Sequence, residues 1–275
     1  MGVSIICSPE WAEKMLKRDD VVAVDCRFKL GDPNYGYEAY VEGHLPGAVH
    51  MDLEREMSGV VAKNMGRHPL PSPRKFASTI SEKGIGLHDS VIAYDDQLSP
   101  MACRFAWMMK WLGHVEVYVI DGGLNAWLLD GYSVESGVVN RKQAMYTPST
   151  KDDLLVDVED VKGRQETPLI DSRAYERYIG KEEPIDPVAG HIPGAICMDW
   201  KNVLDERGRW KSKEALQSQF RSLHNEREVI VYCGSGVTAT VNIIALWEAG
   251  VKQVKLYSGS FSHWITDFER PVERC

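Results

Sequence analysis

Residues 43–52 read GHLPGAVHMD, and residues 190–199 read GHIPGAICMD. A turn repeated almost letter for letter marks a duplicated unit. The match extends outward on both sides. Upstream of each copy an apolar run ends in Asp-x-Arg, VVAVDCR at 21–27 and PLIDSR at 168–173. Downstream stand VIAYD (91–95) and VIVYC (229–233), then YVIDGGLNAW (118–127) and KLYSGSFSHW (255–264). All four matches are collinear, offset by about 137 to 147 residues. Within each half, short apolar runs alternate with helical stretches. Such alternation predicts an α/β fold, with a mainly parallel sheet flanked by helices in each of two tandem domains. Strands are expected near 21–25, 48–51, 91–95 and 116–120, and again near 168–171, 195–199, 229–232 and 254–257. The polar stretch SGVVNRKQAMYTPSTKDD (136–153) reads as the linker, so the domains are expected at 1–138 and 154–275.

At 275 residues, 44% hydrophobic and 26% charged, the chain is long enough for two soluble domains with separate cores. A formal net charge of −8 argues against nucleic acid or an anionic membrane as the main partner. It leaves room for a small anion met by local arginines. The longest uncharged run, Val229 to Trp247, reaches the length of a membrane span. Its centre holds Gly234, Ser235, Gly236, Thr238, Thr240 and Asn242, which mark it as a buried strand, loop and helix. The amino-terminal MGVSIICSPEW shows no secretory signal. The cysteines at 7, 26, 103, 197, 233 and 275 form no C-x-x-C pair and no spacing with His that suggests zinc. Neither a metal nor another cofactor is expected, and reduced thiols in the cytoplasm are the expected setting.

The two halves serve as controls for each other. Features kept in both serve the fold, and features present in one are candidates for function. Asp25 and Asp171 are paired, as are Arg27 and Arg173, which reads as a structural link. His44 and His191 sit in the shared turn and are expected to bond locally. Trp127 and Trp264 read as core aromatics. The unpaired features cluster in the second half. Cys233 faces Asp95, Gly234 and Gly236 face Asp96 and Leu98, and Arg177 faces Gly31.

Ligands in parallel α/β sheets bind outside the carboxyl ends of strands. Cys233 stands at such an end, and the loop CGSGVT leads into a helix expected at about 238–249 with Gly250 as its stop. Glycines permit positive φ, so successive N–H groups can turn toward one atom. Those donors and the helix amino terminus favour negative charge on the sulfur, which is the reactive thiolate form. Cys103 lies inside a helical stretch, Cys197 in a strand, and Cys275 at the end, without such a setting. Cysteine phosphatases use a similar cradle with an arginine where Ala239 stands, so phosphate chemistry is not expected here.

CGSGVTA (233–239), the duplicated G-H-x-P-G-A turn, LIDSRAYERYIG (169–180), and Asp95 in place of a first-half cysteine resemble the tandem rhodanese-domain sulfurtransferases. These comprise the thiosulfate and 3-mercaptopyruvate sulfurtransferases, and the resemblance covers nearly the whole chain. It implies a catalytically inactive rhodanese-like domain at 1–138 and a catalytic one at 154–275. Sulfur would pass from a small anionic donor, 3-mercaptopyruvate or thiosulfate, through a Cys233 persulfide to a thiophilic acceptor: cyanide, a small thiol or a reduced thiol protein. Arg177 matches the arginine that holds the donor's negative group. The loop residues Gly234, Ser235, Gly236, Val237 and Thr238 would bind substrate, with Arg173 and Lys181 as further candidates. Gly234 and Ser235 are the mercaptopyruvate-type pair, with Ser235 assisting the leaving enolate. Such enzymes also tend to carry a second arginine downstream, near the place held here by Asp186. The pattern leans to mercaptopyruvate. The alternative function is a persulfide carrier, or a regulatory rhodanese-like binding module delivering sulfur to a partner protein.

Overall fold

The computed structural model describes residues 4–98 and 100–275. Only the first three residues of the amino-terminal stretch read above, and position 99, lie outside them. The chain divides into two compact units that are not contiguous in sequence. The first takes Met1–Gly59, Pro71–Lys151 and Glu206–Trp210, and the second takes Val60–Leu70, Asp152–Asp205 and Lys211–Cys275.

The first unit runs β1 (Ile6–Cys7), α1 (Pro9–Met15), β2 (Val21–Asp25), α2 (Tyr35–Glu42), β3 (Val49–His50), α3 (Pro73–Glu82), β4 (Ser90–Tyr94), α4 (Pro100–Trp111), β5 (Val117–Ile120) and α5 (Gly123–Leu129). The second runs β6 (Leu155–Val156), α6 (Val158–Gly163), β7 (Leu169–Asp171), α7 (Tyr175–Tyr178), β8 (Ile196–Cys197), α8 (Lys213–Gln219), β9 (Val229–Tyr232), α9 (Ala239–Ala249), β10 (Val254–Tyr257) and α10 (Ser260–Trp264). Both sheets are five-stranded and parallel. Their orders, β1-β5-β4-β2-β3 and β6-β10-β9-β7-β8, are the same order shifted by one repeat. The edge strands β1 and β6 have no counterpart among the expected strands. Each is two residues long, too short for any alternation to register.

Strand direction across the sheet explains the layers. The connections from β1 to β3 step one way across the sheet and those from β3 to β5 step back, so right-handed crossovers place helices on both faces. Side chains alternate accordingly. Val21, Ala23, Ile92 and Tyr94 pack with Ala12, Leu124 and Trp127 on one face. In the second unit Leu169, Ile230 and Tyr232 pack with Val161, Phe261 and Trp264. The central strands β4 and β9 are buried along their whole length, which is why they read as unbroken apolar runs. Helix ends follow local chemistry. Ser8 and Ser72 cap α1 and α3 ahead of a proline, Asp157 and Asp160 form a capping box on α6, and Gly250 ends α9 at φ +98°. No described helix is long and apolar enough to cross a membrane.

The Asp-x-Arg motif ties each sheet to the repeated turn. Arg27 bonds both oxygens of Asp25 through Nε and Nη2, and Nη2 also donates to the Gly43 carbonyl at 2.6 Å. Tyr94 donates to Asp25 at 2.7 Å and accepts from the Leu45 N–H. Arg173 repeats this with Asp171 and the Gly190 carbonyl, and Tyr232 accepts from the Ile192 N–H. His44 and His191 bond to nearby carbonyls and stack on Tyr40 and Tyr178. Both ion pairs are almost fully buried, so removing one partner strands a charge. Arg27→Ala should therefore destabilise the protein by about 3–5 kcal/mol, seen as a lower denaturant midpoint. An unchanged midpoint would show that the pair is not structural.

Candidate active site

Cys233 follows β9 directly and is 2% exposed. Three bonds pin its backbone to the start of α10. The Cys233 N–H donates to Ser260 Oγ at 3.1 Å, its carbonyl accepts from Phe261, and the Gly234 carbonyl accepts from Ser262. Ser260 is the one non-glycine among the described residues with positive φ, at 54°. A side chain in that region is strained. Here its hydroxyl is used twice, accepting from Cys233 and donating to the Tyr257 carbonyl at 3.0 Å. The first half has Gly123 at this position, φ 58°, where an added Cβ would meet the Asp95 carbonyl at 2.6 Å. Aligning YVIDGGLNAW with KLYSGSFSHW therefore carried a signal for Ser260 that the sequence reading passed over.

The sulfur accepts the Gly236 N–H at 3.1 Å. The two loop glycines serve different ends. Gly236 has φ +77°, the left-handed turn that aims its N–H at the sulfur. Gly234 does not need positive φ; it supplies space. A Cβ on it would lie 3.0 Å from Arg67 Nη2 and 3.5 and 3.6 Å from the two Nη atoms of Arg177. Val237 is buried and Thr238 opens α9, whose amino terminus stands beside the sulfur. No side chain caps that helix, and its Thr240 and Val241 N–H groups donate to the Val237 and Thr238 carbonyls of the loop. Ser235 is 7% exposed, and its Oγ shares a 2.8 Å hydrogen bond with His68 Nδ1, which is also buried.

A chain of alternating charge leads from the core to this loop. Arg173, already paired with Asp171, reaches Glu183 through Nη1 at 3.3 Å. Glu183 takes a fork from Arg177, Nε at 3.0 and 3.1 Å and Nη2 at 2.7 Å. Arg177 Nη2 also donates to Asp186 Oδ2 at 3.0 Å, and the other Asp186 oxygen is paired with Arg67. Burial alone would push the Glu183 carboxyl up. The Arg177 fork and the N–H groups of Asp186 and Ile185 outweigh it and hold the group below the usual carboxylate range. At Asp186 burial wins over the arginines, and its carboxyl is pushed up. Burial would strip charge from Arg173, but Asp171 outweighs this and the net shift is upward.

Of the residues singled out in the sequence, Cys233, the loop to Thr238 and Arg177 come together. Arg173 is 2% exposed and its donors are taken up by Asp171, Gly190 and Glu183, with its guanidinium 3.9 Å over the Phe261 ring. It supports Arg177 rather than facing the loop. Lys181 is exposed, and its side chain bonds to none of these groups. Arg67 and His68 escaped the sequence reading. They lie in MGRHPL (65–70), which belongs in sequence to the first half yet packs with the second unit. Burial pushes the thiols of Cys26 and Cys103 well up, and that of Cys197 up to about 11. In the first unit Asp95 stands after β4 and accepts the N–H groups of Met101 and Ala102 at the start of α4.

Comparison with known proteins gives the family. The family model described as "Rhodanese-like domain" matches residues 8–130 and 154–267. A "Probable 3-mercaptopyruvate sulfurtransferase" of Pseudomonas aeruginosa is 42% identical over 265 residues, 94% of this chain and 93% of the relative. A "Putative thiosulfate sulfurtransferase SseB" of Mycobacterium tuberculosis is 38% identical over 280 residues, 99% of this chain and 98% of the relative. Among solved structures, the 3-mercaptopyruvate sulfurtransferase SseA of Escherichia coli superposes with a TM-score of 0.83 at 29% identity, covering 94% of this chain and 100% of that one. With the family matched on both repeats and a relative alike along nearly its full length, this chain belongs to the tandem rhodanese-domain sulfurtransferases.

Proposed function

We propose that Cys233 carries the sulfur, taking it from a small anionic donor as a persulfide and yielding it to a thiophilic acceptor. The observation that carries this reading is the sulfur itself, held at a strand end by the Gly236 N–H beside the amino terminus of α9. In the first step the Cys233 thiolate attacks the donor sulfur and an S–S bond forms. With 3-mercaptopyruvate the C–S bond breaks, its electron pair leaves as the enolate, and a proton makes pyruvate. With thiosulfate an S–S bond breaks and sulfite leaves. In the second step cyanide or a thiol attacks the outer sulfur and the Cys233 thiolate is restored.

The Ser235–His68 hydrogen bond favours mercaptopyruvate. An enolate needs a proton as it leaves, and Ser235 with His68 behind it can supply one. Sulfite needs none. The first unit is proposed to be silent in this chemistry, because Asp95 offers a carboxylate already committed to the α4 amino terminus. Its physiological acceptor is proposed to be a small thiol or a reduced thiol protein, with cyanide as the assay acceptor, in the cytoplasm.

Incubation with donor and no acceptor should add one sulfur atom to the peptide containing Cys233, and Cys233→Ser should abolish turnover. An adduct on Cys103 or Cys197 instead would overturn the assignment. Ser235→Ala should slow turnover of mercaptopyruvate by about a hundredfold, within the range for general acid–base groups, and spare thiosulfate. Equal slowing of both donors would mean that Ser235 only shapes the loop. Asp95→Asn keeps an acceptor for the α4 N–H groups, so its turnover should match the unsubstituted protein; a loss as deep as that of Cys233→Ser would show the first unit to be needed for chemistry.

A further inference from the structure

A cavity of about 370 Å³ lies within the first unit, in the size range of small-molecule sites. Val49 and His50 of β3 line it, with Tyr37 and Tyr40 of α2. The segment 138–141, read from composition as part of a linker, lines it too and is fastened on both sides. The Gly137 N–H donates to the Val41 carbonyl at 2.8 Å, the Val139 N–H to the Tyr40 hydroxyl at 2.9 Å, and the Ala144 N–H to the Ser81 carbonyl at 3.0 Å. Three rings meet at the cavity. The His50 centroid is 5.9 Å from that of Tyr37, edge-on, and 5.6 Å from that of Tyr40. Burial pushes the His50 pKa down, so its ring is neutral and joins the two tyrosines as an aromatic surface. Tyr37 is 47% exposed. The second repeat has Cys197 where β3 has His50, each opposite the aspartate that ends the neighbouring strand.

The charges around the cavity divide by sign. Its acids are already engaged. Asp52 accepts the Glu54 and Arg55 N–H groups, Glu56 accepts the Asp52 N–H and pairs with Lys83 at 2.7 Å, and Glu82 accepts from Ser78. Two of its cations are not. The guanidinium groups of Arg55 and Arg141 have no hydrogen-bond or ion-pair partner among the described residues, and Arg141 Nε is buried besides. A buried donor without an acceptor costs free energy, which an incoming acceptor would recover. We propose that this cavity binds a planar aromatic or heteroaromatic acid, its ring against Tyr37 and its acidic group on Arg141 and Arg55. The unspent cations select an anion, and arginine suits the paired oxygens of a carboxylate or a phosphate. The ring surface selects a flat partner. No residue of the Cys233 loop lines the cavity, so the site is independent of the reading of Cys233.

The test is calorimetric titration of the intact protein with four probes: adenosine monophosphate, indole-3-acetate, adenosine and inorganic phosphate. At least one of the two ring-bearing acids should bind with Kd below about 1 mM, and which of them binds tells phosphate from carboxylate. Adenosine lacks the acid and phosphate lacks the ring, so each should bind at least about tenfold more weakly, the loss typical of one hydrogen bond to a charged group or of one stacked base. Arg141→Ala should weaken the bound acid about tenfold, and Tyr37→Ala by a similar factor. Both variants should keep sulfur transfer near that of the unsubstituted protein. Failure of both acids to bind at millimolar concentration overturns the proposal. So does inorganic phosphate or adenosine binding as tightly as the acids, or an unchanged Kd in folded Arg141→Ala. Should that variant fail to fold, an unchanged Kd in Arg55→Ala together with Tyr37→Ala overturns it instead.

Discussion

The second unit depends on the buried ion pair of Asp171 and Arg173. Two charges are taken out of water at the end of a central strand, which is tolerated only because the pair is forked and its remaining donors are satisfied. Arg173 also bonds the Gly190 carbonyl, so the repeated turn cannot move without breaking a charge-assisted bond. From this fixed point the charges alternate outward through Glu183, Arg177, Asp186 and Arg67. Each side chain is oriented by the one before it. A long, flexible arginine becomes a positioned group only when its other donors are already held, and here the holding begins in the core.

One frame carries two outcomes. In the first unit the pair of Asp25 and Arg27 performs the same fastening and stops there. The position after β4 holds a carboxylate that accepts N–H groups from α4. After β9 a sulfur holds the equivalent place and accepts the Gly236 N–H. Both frames offer donors to a negative group, since both place a helix start beside a strand end. What differs is the group that receives them. A carboxylate so held is an anchor, and a sulfur so held is the atom proposed to carry the transferred sulfur.

The other thiols show why burial alone does not make a reactive cysteine. Cys26 and Cys103 are as buried as Cys233, and their burial and the carboxylates near them both favour the neutral thiol. Cys197 lies near Asp171 and Asp199 and is pushed the same way. Cys233 instead has a loop glycine N–H, that of Gly236, aimed at its sulfur, and this donor comes from backbone geometry rather than from nearby cations in sequence.

The amino-acid sequence by itself determined the duplication, the α/β class, eight of the ten strands, the α9 helix with its Gly250 stop, and Cys233 as the odd residue of a repeated frame. These are local or periodic features: apolar runs, glycine stops and a motif matched against its own copy. The edge strands β1 and β6 were not legible, because two residues carry no pattern. The role of Gly234 was misjudged, since a residue that makes room looks the same in sequence as one that makes a turn. Arg67 and His68 were invisible, because they lie about 165 residues from the loop they reach and inside the half without Cys233. Only the tertiary structure decided that Asp186 bridges two arginines and that Ser235 meets His68. Contacts between distant segments depend on how the chain closes on itself, and no local spacing encodes that.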